Sequence, residues 1–394
     1  MTPPGKGARL PLHNLLKMNQ LATTAKAAPV SPPCLRSMEP QVPASVPELR
    51  SSGLTHSERR RFSDLLGLFK KTRILVVGDF ILDQFVWGTV ERISPEAPVP
   101  VVHVSRESYM PGGSLNVANN IHALGGTVYP CGVVGRDREG RMLLKEIRKA
   151  GIDPGGIVYD PGRPTSVKTR VIAHSQQVVR FDREKADEIS PEYAKKILRF
   201  VTQKMHETDV VVIEDYGKGV VQPLLLKQIV RLAKKFRKPV LVDPKEKHFS
   251  YYGGATVITP NRKEACGAFA NEVARFSRQN HRMHKDYSLE EVGRGLLKKL
   301  KLEAVLITLG EDGMALFEKN GAMTKIPTAA REVYDVSGAG DTVVAVLGLA
   351  IAAGGKMREA AMLANLAAGI VVGKLGTATV TSEELRNAMT GGSR

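Results

Sequence analysis

Asp335-Val-Ser-Gly-Ala-Gly-Asp341 is the stretch of this sequence best suited to chemistry. It runs into an apolar, small-residue segment that predicts a helix over about 338–353. A glycine-punctuated loop entering a helix aims backbone N–H groups and the positive end of the helix dipole at one spot, which is an anion site. Asp341 lies in the first helical turn, at the edge of that spot. An anion cradle beside a carboxylate fits phosphoryl transfer: the cradle holds the moving group and the carboxylate takes a proton from the acceptor hydroxyl. The same pattern also fits a core helix capped by Ser337, so the loop alone does not decide.

Further polar motifs follow apolar runs. Arg73-Ile-Leu-Val-Val-Gly-Asp79 predicts a buried parallel strand that delivers a polar residue at its C-terminal end, where ligands gather in open α/β sheets. Asp79 and Asp83 could grip sugar hydroxyls there, or cap a turn. Gly112 and Gly113 open a predicted helix and permit close backbone approach to a ligand, with Asn116 in its first turn. Glu214–Gly219, Asp243-Pro-Lys245 and Thr259-Pro-Asn-Arg-Lys-Glu264 follow three more short strands. Each motif is weak alone. Their recurrence at one kind of position in one sheet favours a shared ligand site.

The elements that must position these residues alternate. Strands are expected at 127–134, 209–213, 239–242, 256–258 and 304–308. Helices are expected at 114–124, 191–207, 222–237, 288–300, 338–353 and 357–373. This predicts an α/β fold with a central, mostly parallel sheet flanked by helices on both faces. Two β-rich segments, 97–104 and 166–182, lack intervening helices and are expected to form a small lid. Residues 55–71 predict an amphipathic helix with Phe62, Leu65, Leu66 and Phe69 on one face. Residues 1–54 are basic, rich in Pro, Ala and Ser and without periodicity, and are expected to be a disordered extension. Residues 386–394 are expected to be a tail. The insertion 268–287 carries His281 and His284 at HxxH spacing, but no third ligand nearby for a metal.

Composition narrows the function classes. Three scattered cysteines (Cys34, Cys131, Cys266) exclude a disulfide framework and fit a reducing compartment. The formal charge is +17, with +7 of it in residues 1–71 (11 Lys/Arg against 4 Asp/Glu). Spread-out positive charge suits phosphorylated small molecules as well as nucleic acid. Aromatics at 5% argue against single-strand stacking platforms, so no nucleic-acid partner is expected. No apolar run reaches the roughly 20 residues that span a bilayer, so no membrane partner is expected either. A Walker A loop, the HRD and DFG motifs of protein kinases and a GxGxxG after the first strand are all missing.

With Gly112-Gly-Ser-Leu-Asn116 near the front and Asp335–Asp341 near the end, the chain resembles the ribokinase-like (PfkB) carbohydrate kinases over about residues 72–385. Arg92-Ile-Ser-Pro-Glu-Ala-Pro-Val-Pro-Val-Val102, Lys168–Ala173, Gln176–Asp182 and Asp215–Gly219 are similar to the bacterial D-glycero-β-D-manno-heptose-7-phosphate kinases. Ser114-Leu115, where smaller residues are usual, and the 268–287 insertion depart from that pattern. The resemblance implies an ATP- and Mg²⁺-dependent kinase that phosphorylates the anomeric O1 of the heptose phosphate in ADP-heptose synthesis. Asp341 would be the base, with Gly338, Ala339 and Gly340 as the anion hole. Asn261 and Glu264 would organise Mg²⁺ through waters, with Arg262 and Lys263 between them. Thr308 and Gly310 would line the nucleotide site, Asn365 would lie near the adenine and Lys245 near the phosphates. Asp83, Gly112, Gly113 and Asn116 would hold the sugar.

A sugar phosphate brings a dianion that needs cations, and Arg92, Lys168, Arg170 and Arg180 lie in or beside the lid segments. The resemblance further implies a cytoplasmic homodimer closed through the lid. Many relatives are fused to a nucleotidyltransferase with an HxGH motif. The chain contains none, so a stand-alone kinase with a separate nucleotidyltransferase is expected. A kinase for another sugar or sugar phosphate is the alternative, and a basic nucleic-acid-binding protein a remote one.

Overall fold

The computed structural model describes residues 54–390 apart from 175, 277–286 and 331. The expectations for residues 1–53, for Cys34, for His281 and His284, and for residues 391–394 lie outside the described residues.

Helix α1 (His56–Leu68) begins with a reciprocal cap, in which the Glu58 N–H donates to Thr55 Oγ1 at 3.2 Å and the Thr55 N–H donates to Glu58 Oε2 at 3.0 Å. Its Phe62, Leu65 and Leu66, with Phe69 from the following turn, are buried as the periodicity predicts. Strand β1 (Arg73–Gly78) is separated by Asp79 alone from β2 (Phe80–Ile93), which pairs antiparallel with β3 (Pro100–Gly113). Then come α2 (Ser114–Ala123), β4 (Thr127–Val134), α3 (Arg138–Lys149) and β5 (Gly156–Tyr159). Strands β6 (Ser166–Ala173) and β7 (Gln176–Arg183) form a hairpin, followed by α4 (Pro191–Lys204), β8 (Val210–Glu214) and α5 (Pro223–Lys235). Pro191 and Pro223 occupy first helical turns, where a missing N–H costs nothing. Next are β9 (Val240–Asp243), β10 (Val257–Ile258), α6 (Arg262–Phe276), α7 (Leu289–Leu300), β11 (Ala304–Thr308), β12 (Met314–Glu318) and β13 (Met323–Ile326). The described chain ends with α8 (Ala339–Ala352), α9 (Met357–Val371) and α10 (Ser382–Thr390).

Nine strands form the main sheet, in the order β13-β12-β11-β10-β9-β8-β1-β4-β5, all running the same way except β12, which pairs antiparallel with β11 and β13. Strand side chains alternate between two cores. Ile74, Val76, Val210, Val212 and Leu241 face α1, α2, α8, α9 and α10; Leu75, Val77, Val211, Ile213 and Val242 face α4, α5 and α7. Each such side chain, fully buried, contributes about 1.5–3 kcal/mol. Helix α8 is buried from Asp341 to Ala350. Gly348 faces the sheet, where a Cβ would make ordinary van der Waals contact with Val212 Cγ2 at 3.4 Å and Leu241 Cδ2 at 3.6 Å.

The lid is larger than the two β-rich segments predict. It is a four-stranded sheet, β3-β2-β6-β7, in which β2 and β6 are parallel and the other pairs antiparallel. Phe80-Ile81-Leu82 carries no polar alternation because it is buried on both faces where the lid leaves the main sheet. Asp83 therefore lies inside a strand rather than in a turn. Trp87 lies farther along β2, where its indole N–H donates to Ser108 Oγ at 3.2 Å and the Arg106 guanidinium covers its ring at 5.1 Å. The described cysteines, Cys131 and Cys266, are free. Among the described residues no helix is long and apolar enough to cross a membrane.

Candidate active site

The C-terminal ends of β1, β8 and β9 meet the N-terminus of α8, and the expected motifs converge there. Gly338 caps α8 with φ at 77°, in the left-handed region that glycine enters without strain. A side chain at Gly338 would also strike Asn116 Nδ2 at 2.5 Å. Ala339 and Gly340 form the first turn. The Ala339 N–H donates to the Val336 carbonyl at a long 3.3 Å and would have to leave it to meet a phosphoryl group.

Asp341 is buried, and each of its oxygens accepts a hydrogen bond: Oδ2 from Asn116 Nδ2 and Oδ1 from the Tyr216 hydroxyl, both at 2.7 Å. Burial and, more weakly, the charge of Asp83 push its pKa up to about 6. The Asn116 and Tyr216 hydrogen bonds and the Lys168 ammonium act against that rise. Asn116, expected on the sugar, is thus committed to the base through one amide hydrogen. Its Oδ1 accepts from Asn120 Nδ2 at 3.3 Å, and the Thr342 hydroxyl donates to Asn120 Oδ1 at 3.2 Å.

Two acids beside the base were not singled out as site residues by sequence. Glu214, Asp243 and Asp341 each bring a carboxylate oxygen within 4.8 Å of the others. Both Glu214 oxygens are buried without a hydrogen-bond partner. Two bare carboxylates cannot hydrogen-bond each other, but a proton on Glu214 would turn its contact with Asp243 into a bond. Accordingly, burial first and then Asp243 and Asp341 raise the Glu214 pKa well above the usual carboxylate range, and burial pushes Asp243 up to about 7. Asp243 lies beside the anion loop, with Oδ2 3.7 Å from where a Gly340 Cβ would be. Each acid ends a strand and opens one of the strand-end motifs read from the sequence, which marked the position without giving either acid a role.

On the lid side, Asp83 forms a salt bridge with Arg170, whose guanidinium also lies 5.4 Å from the Phe85 ring centre. The expected sugar ligand and one expected phosphate ligand are therefore paired with each other. A side chain at Gly112 would fall 2.0 Å from Asp83 Oδ2, and one at Gly113 2.6 Å from the Asp79 carbonyl. Lys168, opposite Asp83 in the β2–β6 register, has its ammonium 5.1 Å from the centre of the Tyr216 ring. Burial holds its pKa down, against the pull of Asp182 and Asp83. Arg180 is exposed and paired with Asp182 at 3.1 Å. Arg92 is not brought in: it is exposed near the far end of β2, roughly 30 Å along the strand from Asp83 at about 3.3 Å per residue. Asp79, also weighed for sugar hydroxyls, is used internally. It accepts the backbone N–H groups of Tyr216, Lys218 and Val220 at 3.0, 2.9 and 3.1 Å.

On the other side of α8, Asn261 and Glu264 cap α6 reciprocally, each backbone N–H donating to the other's side chain at 3.0 Å. Burial raises the Glu264 pKa, and the Lys245 ammonium opposes the rise, which places Lys245 on that side. Asn261 bridges to Thr308 at the end of β11. Gly310, with φ at 62°, has open space where a Cβ would stand. Arg262 and Lys263 are exposed. Asn365 is buried and donates to the Pro327 carbonyl at 2.8 Å.

The arrangement is a buried carboxylate at a helix N-terminus, with the lid sheet on one side and the capped start of α6 on the other. Comparison with known proteins bears on the family and the fold. The pattern of the family described as pfkB family carbohydrate kinase matches residues 71–384. The "Bifunctional protein HldE" of Geobacter sulfurreducens is 47% identical over 328 residues, covering 83% of this chain and 65% of that protein; the chain thus spans about two thirds of the length of this relative. Among solved structures, the ribokinase of Thermotoga maritima is similar with a TM-score of 0.61 at 21% identity, covering 81% of this chain and 99% of that one. Arabidopsis thaliana ribokinase complexed with ribose and ATP reaches 0.62 at 16% identity, covering 81% and 98%; these two show the fold alone. With the family pattern matched over most of its length and the fold in agreement, this chain belongs to the pfkB family of carbohydrate kinases.

Proposed function

We propose that this chain transfers the γ-phosphoryl group of ATP to the anomeric O1 of D-glycero-D-manno-heptose 7-phosphate, giving the 1,7-bisphosphate in ADP-heptose synthesis. The observation that carries the reading is Asp341, a buried carboxylate held by two hydrogen bonds at the N-terminus of α8, under the Gly338–Gly340 loop. The heptose phosphate as acceptor is supported by the lid segments and by the 47% identity to the Geobacter sulfurreducens protein.

Asp341 takes the proton from O1 as the new bond to phosphorus forms. The N–H groups of Gly338, Ala339 and Gly340 meet the charge on the phosphoryl oxygens. Lys168, nearest the base among the lid cations, and Arg180 serve the 7-phosphate. Arg170 keeps Asp83 in place against the sugar. The nucleotide lies along Asn261–Glu264, Thr308, Gly310 and Asn365, with Lys245 towards its phosphates. The oxygen donors present fit a hard divalent ion: Asn261 and Glu264 would hold Mg²⁺ through waters, and the unpartnered Glu214 with Asp243 faces the same region. When bound, Mg²⁺ draws charge from the triphosphate. Lid closure by a second copy of the chain, a cytoplasmic setting and a nucleotidyltransferase acting on the product complete the reading.

Incubation with ATP, Mg²⁺ and each heptose 7-phosphate anomer, followed by NMR of the product, tests it. A phosphate ester at C1 is expected. Phosphorylation elsewhere, or turnover only of sugars lacking the 7-phosphate, would favour a ribokinase-like kinase of another substrate.

A further inference from the structure

We propose that Tyr216 is a positioning residue for Asp341, whose hydroxyl fixes the carboxylate's orientation and stabilises its charged form. The proposal rests on the reading of Asp341 as the base.

A carboxylate with one donor can swing about its Cβ–Cγ bond. With Asn116 on Oδ2 and Tyr216 on Oδ1, both at 2.7 Å, that rotation is pinned, and one lone pair on each oxygen stays free for a substrate proton. Both donors stabilise the charged form, whereas burial and the charge of Asp83 oppose it. The phenol remains a donor. Burial and the charges of Asp341, Glu214 and Asp243 hold its own pKa well above 10.

The loop that carries Tyr216 is built to aim it. Asp79 accepts three of its backbone N–H groups, and Asp215 Oδ1 accepts the Gly217 N–H at 2.8 Å. Gly217 and Gly219 take φ values of 68° and 92°, which let the chain turn tightly around those carboxylates. The ring face meets the Lys168 ammonium from β6 at 5.1 Å. Tyr216 therefore touches the lid with its ring and the base with its hydroxyl.

Tyr216→Phe removes the hydroxyl and leaves the ring under Lys168. A hydrogen bond to a charged group is strong enough that its loss should move the acid limb of the kcat–pH profile upward by about one unit. With the limb moving from about 6 to about 7, kcat should fall nearly tenfold at pH 5 and about twofold at pH 7, be near native at pH 9, and KM for ATP should stay unchanged. A uniform loss at every pH with the acid limb unmoved would overturn the proposal. So would a variant whose circular dichroism shows that it has not folded, because the hydroxyl is assigned no part in folding. Asp341→Asn, assayed alongside, separates the two ideas. If it is inactive while Tyr216→Phe matches the native profile, Tyr216 alone loses its role; if it is active, the base assignment falls.

Discussion

As the proposed base, Asp341 has to be ionised to take a proton, yet it is buried where water solvates the charge poorly. Its pKa of about 6 sets a pH window. Below about 6 the base carries a proton, so kcat/KM should fall tenfold per unit as pH drops, and Asp341→Asn should lower kcat by about 10²–10⁴-fold at pH 8 while still binding ATP. A pH–rate series with isothermal titration of ATP checks both. The same shift carries a stability term of opposite sense. Between 3.8, the unfolded value, and about 6, the folded protein holds a proton that the unfolded chain has released, so this contribution is present at low pH and is lost as pH rises through about 6. Asp341, Gly338 and Gly340 were legible because one contiguous spacing carries them. Tyr216 was not, because its contact joins residues 125 apart, and no local pattern reports where a tyrosine hydroxyl ends.

At the scale of elements, the main sheet was largely readable. Strands β4 and β11 fall where their apolar runs placed them, since parallel strands buried on both faces leave continuous hydrophobic segments. The first half of the lid was harder. Asp83 could be read as a sugar ligand or as a turn cap, and only the pairing of β2 with β3 and β6 shows that it lies inside a strand. Gly112, opposite Ile81 on β3, leaves the room that Asp83 occupies. Gly112→Ala should push Asp83 off Arg170, cost about 1–3 kcal/mol of stability and raise KM for the sugar phosphate severalfold, leaving KM for ATP near native. An increase confined to ATP would show that Asp83 serves the other substrate.

For the whole molecule, the lid's exposed apolar residues stand out. Ile93, Val104, Val179 and Phe181 are between 49% and 60% exposed on one small sheet, whereas a soluble surface usually scatters such side chains. That supports pairing of two copies through the lid. Phe181→Asp should shift the chain from dimer to monomer in sedimentation equilibrium; a native chain that is monomeric at micromolar concentration would rule the pairing out. Of the chain's positive charge, two lid members are neutralised locally, Arg170 by Asp83 and Arg180 by Asp182.

Trp87 gives the lid a further property. It is the single tryptophan of the sequence, and it stands on β2 between the Ser108 hydroxyl and the Arg106 guanidinium. Light absorbed at the red edge of the indole band is therefore emitted from the lid and from nowhere else in the protein. The molecule carries its own optical probe of the lid, and the proposed closure over each substrate should change that emission in stopped-flow fluorescence without an attached dye.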